Sequence, residues 1–177
     1  GLSCYYHDSA ACIVVDGEVV AAAQEERYTR IKNDKSFPEK AISFCCAKAG
    51  VEIDQVDYVV YYEKPLEAFD RVLASFFSIA PAGGRNWIQA VPSWFKHKLQ
   101  LPKVLAQTIG FTGDVLYTEH HEAHASSAFY PSPFESAAIL TLDGVGEWAT
   151  TTFSVGHDNS LEALKQINFP NSLGLLY

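Results

Sequence analysis

Five consecutive residues, His120-His121-Glu122-Ala123-His124, hold three of the six histidines of this chain. If the segment is helical, His120 and His124 stand one turn apart on one face, because residues i and i+4 are neighbours on a helix surface. Two imidazoles so placed can hold one metal ion between them. A carboxylate arriving from another element would complete the set. Asp143 is the candidate, opening the run Asp143-Gly144-Val145-Gly146-Glu147. His121 points about a third of a turn away from His120, so it is expected to orient a partner through its free nitrogen rather than to bind metal.

Two other segments carry chemistry. Gly144 and Gly146 would let the backbone approach a phosphate closely. His7-Asp8-Ser9 follows the first apolar run. A histidine beside a carboxylate can act as general base toward a hydroxyl, because its pKa lies near working pH. The same tripeptide also suits a tight turn. Asp16-Gly17 is a simple turn between two apolar runs. No Gly-x-x-x-x-Gly-Lys-Ser/Thr run is present, so a P-loop is excluded.

These residues need elements to position them. Strands are expected at 2–6, 11–15 and 19–23, the last two joined by Asp16-Gly17, a strong hairpin signal. A helix over 39–49 starts after Pro38 and closes at Gly50. A strand at 56–62 and a helix at 66–79 follow. Pro81-Ala82-Gly83-Gly84 breaks the chain. Residues 85–110, with Trp87, Trp94 and Phe95, are expected as two helices split near Pro102, the aromatics in a core or interface. A strand at 114–118 leads to a helix over 120–129, ended by Pro131-Ser132-Pro133. The order is β-β-β-α-β-α-β-α. Strands at 137–142, 149–155 and 161–169 then start the pattern again, implying two similar lobes with a ligand cleft between them. The expected division is a first lobe over 1–134 and the beginning of a second over 135–177.

Composition limits the partners. The 177 residues are 48% apolar, enough for a packed core. A formal charge of −8 argues against a nucleic-acid groove across the surface. The Glu25-Glu26-Arg27 run, with Arg30 and Lys32, reads as a solvated charged surface. No stretch approaches the ~20 apolar residues that span a bilayer. Cysteines 4, 12, 45 and 46 form no Cys-x-x-Cys pair, which fits reduced thiols in a cytoplasmic protein. The missing Met and a helix start at Ser172 point to a piece of a longer chain.

The words His7-Asp8-Ser9-Ala10-Ala11, AAAQEERYTR (21–30), Phe37-Pro38, HHEAHASSAFY (120–130), Pro131-Ser132-Pro133-Phe134, DGVGEWAT (143–150) and residues 169–177 run across almost the whole chain. Together they resemble the N-terminal part of the NodU/CmcH-type carbamoyltransferases. That resemblance implies an actin-like ATPase fold, shared with sugar kinases and heat-shock chaperones. It implies that carbamoyl phosphate and ATP give carbamoyl-adenylate in a separate C-terminal YrdC-like domain. The carbamoyl group would then pass to a hydroxyl of a sugar or natural-product acceptor. His120, His124 and Asp143 would hold a divalent transition metal, with iron expected and manganese or zinc also suited to the donor set. A further aspartate ligand would lie beyond Tyr177. Gly144, Val145, Gly146 and Glu147, with Arg27 as an anion contact, would meet the nucleotide or its phosphate. His7 and Asp8 would be catalytic. Two alternatives stay open: a tRNA threonylcarbamoyl-adenosine transferase, which shares the histidine pair, and a non-catalytic nucleotide-binding module.

Overall fold

The computed structural model describes residues 1–79 and 98–177. The expected break at 81–84 and the aromatic residues Trp87, Trp94 and Phe95 lie outside the described residues. In chain order the elements are β1 (Leu2–Ser3), β2 (Ala10–Val15), β3 (Glu18–Gln24), α1 (Glu26–Thr29), α2 (Glu39–Ala49), β4 (Tyr58–Tyr61) and α3 (Pro65–Ile79). Then come α4 (Leu101–Ile109), β5 (Asp114–Tyr117), α5 (His120–Phe129), β6 (Ser136–Leu142), β7 (Ala149–His157), β8 (Ser160–Asn168) and α6 (Leu173–Leu176). Packing divides them into two compact units: residues 1–62 with 98–117, and residues 63–79 with 118–177. By chain order α5 falls before the expected boundary at 134. By packing it goes with β6, β7 and β8.

The first unit is a mixed α/β structure. Its five strands run β3-β2-β1-β4-β5, with β1, β2 and β3 antiparallel and β1, β4 and β5 parallel. Asp16 and Gly17 both take positive φ, 52° and 86°. That is the geometry a two-residue hairpin needs to match strand twist. β1 is shorter than the expected 2–6, because Tyr5 turns to φ 70° and its N–H donates to the Lys35 carbonyl. α2 covers β2 and β3, burying Ala41, Ile42 and Cys45 against Leu2, Cys4, Ala11 and Tyr61. It ends at Gly50 in the left-handed region, as the αL cap requires. Pro102 marks the start of a helix, and the helix expected before it lies outside the described residues. Pro102 sits in the first turn of α4, where its missing N–H costs nothing. The four cysteines form no disulfide.

One part of the charged run is not solvated. Glu25 is 3% exposed. Its Oε2 accepts the Ala41 N–H at 2.8 Å and its Oε1 the Lys40 N–H at 3.2 Å. The residue before α2 is Pro38, whose side chain makes no capping bond. Glu25 therefore satisfies donors that the helix start leaves open.

The second unit is built on an antiparallel sheet ordered β6-β7-β8. α5 packs on one face of it. His121, Ala125 and Phe129 form its buried stripe at i, i+4 and i+8. The Phe129 ring fills the space above Gly156, where a Cβ would approach it to 2.7 Å. Leu140, Leu142, Phe153 and Val155 alternate onto the opposite face and are exposed. Among the described residues no helix is long and apolar enough to cross a membrane.

Candidate metal centre

α5 carries its histidines on two different faces because they are one and four positions apart. His121 goes into the packed stripe and is 5% exposed. His120 and His124 share the neighbouring face. Their Nε2 atoms are 3.0 Å apart, with ring planes at 87°. Asp143 follows the end of β6, where the strand delivers its carboxylate to the same place. Its Oδ2 lies 2.5 Å from His120 Nε2 and 3.6 Å from His124 Nε2. Among the described residues these three groups converge, one donor atom each, all within 4.8 Å of one another. Two nitrogens held at ~2.0–2.1 Å from one cation stand roughly 3 Å or slightly more apart. The donor set and its spacing therefore fit a divalent transition ion.

The electrostatics agree. Hydrogen bonds from His120 and then His124 hold the Asp143 carboxyl well below the usual carboxylate range, against the opposing effect of burial. The carboxylate is thus charged and available as a ligand at neutral pH. Burial, and then the neighbouring His120, brings His121 down to about 4. His121 is accordingly a neutral, packed side chain, its Nδ1 2.7 Å from Thr152 Oγ1.

The loop after Asp143 is held by backbone hydrogen bonds and by contact with α5. Gly144 N–H donates to Asp143 Oδ1 at 2.6 Å and Gly146 N–H to the Ala149 carbonyl at 2.9 Å. A Cβ on Gly146 would come within 3.1 Å of His121 and 3.3 Å of His120, so the glycine lets the loop lie against α5. Val145 is half-buried between them. Glu147, expected at the nucleotide, is 6% exposed and faces backbone. Both its oxygens accept the His120 N–H at 3.0 Å, and Oε1 accepts the Lys64 N–H at 2.9 Å. Ser172, as expected, caps α6, accepting the Leu175 N–H at 3.1 Å. Its hydroxyl is also within reach of the Asp143 and Gly144 carbonyls, at 3.2 and 2.7 Å.

The remaining candidates belong to the first unit. His7 Nδ1 is 2.7 Å from Asp8 Oδ2, and both side chains are open to solvent. Asp8 has φ 49°, a turn conformation that Asp tolerates. Ser9 N–H donates to the Asp34 carbonyl at 2.7 Å. Arg27 is exposed on α1. The sequence reading missed Thr152 and the buried ends of Glu25 and Glu147. Only Thr152 had a local signal: alternation along β7 places it on one face with Ser154 and Gly156.

Comparison with known proteins covers the same span. A 50% identical uncharacterised protein of Synechocystis sp. aligns over all of this chain and 30% of its own length. The nodulation protein NolNO of Sinorhizobium fredii is 36% identical over 98% of the chain and 25% of its own. An uncharacterised protein of Methanocaldococcus jannaschii is 25% identical over 98% of the chain and 28% of its own. The chain thus spans between a quarter and a third of the length of these three relatives. The family described as carbamoyltransferase N-terminus matches residues 1–177, and the chain belongs to it.

Proposed function

We propose that the protein of which this chain is part transfers a carbamoyl group from carbamoyl-adenylate to a hydroxyl of a sugar or natural-product acceptor. The donor would be made from carbamoyl phosphate and ATP in a C-terminal YrdC-like domain. The observation that carries this reading is the convergence of His120, His124 and Asp143 in a chain of the carbamoyltransferase family. Residues 1–134 are read as the first lobe and 135–177 as the opening of the second in an actin-like ATPase fold, a reading supported by the β3-β2-β1-β4-β5 order and the renewed β-β-β meander.

In this reading His120 Nε2, His124 Nε2 and Asp143 Oδ2 would hold a divalent transition ion, with iron, manganese or zinc all suited to the donors. When bound, the ion supplies Lewis-acid polarisation of the donor's phosphate or carbonyl oxygen. The chain's own groups do the rest. In this role His7 would donate its Nδ1 proton to Asp8 Oδ2, 2.7 Å away, leaving Nε2 as the basic nitrogen. His7 Nε2 takes the acceptor's hydroxyl proton as its oxygen bonds to the carbamoyl carbon and the carbon–oxygen bond to AMP breaks. The backbone of the loop carrying Gly144 and Gly146 would meet the donor's phosphate, and Arg27 is proposed as its cation.

The test is carbamoyl transfer by the full-length protein, followed by product mass with carbamoyl phosphate, ATP and a panel of hydroxyl acceptors. Transfer that is lost in Asp143→Asn is expected. Full transfer by that variant would refute the role of the triad.

A further inference from the structure

Glu147 sits four residues beyond Asp143, and its carboxylate turns away from solvent. It lies at the starts of two helices at once. His120 is the first residue of α5, and Lys64 immediately precedes Pro65, the first residue of α3. Each helix start leaves N–H groups without intrahelical acceptors. Glu119, which precedes α5, makes no side-chain capping bond. Glu147 supplies that acceptor from outside the helix, taking the His120 N–H on both oxygens and the Lys64 N–H on one. The partial positive charge of both helix ends favours a buried anion there.

The consequence for the triad is geometric. One short loop carries Asp143 at its start and Glu147 at its end. The first is a candidate ligand. The second grips the backbone of His120, another candidate ligand. The distance between His120 Nε2 and Asp143 Oδ2 is therefore set within a single small ring of covalent and hydrogen bonds. We propose that Glu147 is a positioning residue that holds His120 in register with Asp143 for metal capture, and is not a ligand of the nucleotide. The proposal rests on reading the triad as a metal site.

The first unit provides an internal control. Glu25 makes the same kind of bond to the start of α2, through Lys40 and Ala41, but α2 carries no histidine. Loss of either glutamate removes a buried brace. Only one of the two braces touches a ligand-bearing residue.

The experiment compares Glu147→Gln and Glu25→Gln in the full-length, metal-stripped protein. Zn²⁺ affinity is measured by competition with a chromophoric chelator, and folding by thermal melting. Both variants are expected to melt earlier. Glu147→Gln puts an NH2 donor where the second carboxylate oxygen accepts the His120 N–H, and it alone is expected to bind Zn²⁺ about 10- to 100-fold more weakly, the usual effect of disturbing a group that orients a ligand. Wild-type affinity in Glu147→Gln, or equal losses in both variants, would overturn the brace while leaving the metal reading intact. Absence of Zn²⁺ binding by the wild type would overturn both. A second measurement needs no variant. Hydrogen exchange at the His120 amide of the metal-free wild type is expected to be strongly protected. Exchange at the rate of an open amide until Zn²⁺ is added would also overturn the proposal.

Discussion

His120 and His124 present their Nε2 atoms to each other at 3.0 Å across nearly perpendicular rings. His121, between them in sequence, faces the other way and meets Thr152. One helix turn thus separates a pair of exposable donors from a packed imidazole.

This division sets the expected metal content. His120→Ala or His124→Ala in the full-length protein should abolish stoichiometric metal, whereas His121→Ala should largely retain it. Elemental analysis of the three purified variants decides the matter. Equal content in all three would remove the triad assignment.

The buried imidazole also fixes a pH response. His121 is held neutral down to about 4, while an unfolded histidine takes its proton near 6.5. Between those values the unfolded state binds the extra proton, so stability falls as pH drops. The loss should begin near pH 6.5, amount to on the order of 2–3 kcal/mol, and level off near pH 4. Asp143 acts in the same direction at lower pH: its depressed value stabilises the fold above the ordinary carboxylate range, and that contribution fades as pH falls. The difference in melting between wild type and His121→Gln, both metal-free, isolates the histidine. A difference that stays constant from pH 7 to 4 would contradict the assignment.

The turn at α6 predicts opposite outcomes for two glycines. A Cβ on Gly174 would overlap the Asp143 backbone, whereas one on Gly144 would make an ordinary 3.5 Å contact with Leu175. Gly174→Ala should cost about 1–3 kcal/mol, since backbone cannot step aside as a flexible side chain can. Gly144→Ala should stay within about 0.5 kcal/mol. Denaturant midpoints of the two variants measure this, and the reverse order would show that the α6 turn is not seated on Asp143.

For the transfer step, His7→Asn in the full-length enzyme should slow carbamoylation of the acceptor on the order of 10²- to 10⁴-fold. Formation of carbamoyl-adenylate, followed by phosphate release, should persist. If both steps fell together, His7 would be a donor-binding or structural residue. If neither fell, His7-Asp8-Ser9 would be only a turn.

The sequence carried the local features well, because each had a local cause. The Asp16-Gly17 hairpin follows from two residues that accept positive φ. The bounds of α5 follow from its stripe and the prolines after it, and those of α2 from Pro38 and Gly50. The histidine pair was legible because i,i+4 spacing is a property of one helix. Glu25 and Glu147 were not legible. Their partners lie on other elements, and a glutamate in a charged run looks the same in sequence whether it meets water or a helix end.

The two bonds of Glu147 differ in how much chain they enclose. The one to His120 closes 27 residues, while the one to Lys64 closes 83. The entropy of closure rises with loop length, so the shorter ring should form first as the chain folds. The corner that holds His120 near Asp143 would then exist before α3 is tied to it, and the Lys64 bond would act as a late latch on a corner already made. Pulse-labelled exchange during refolding should accordingly show the His120 amide gaining protection ahead of the Lys64 amide.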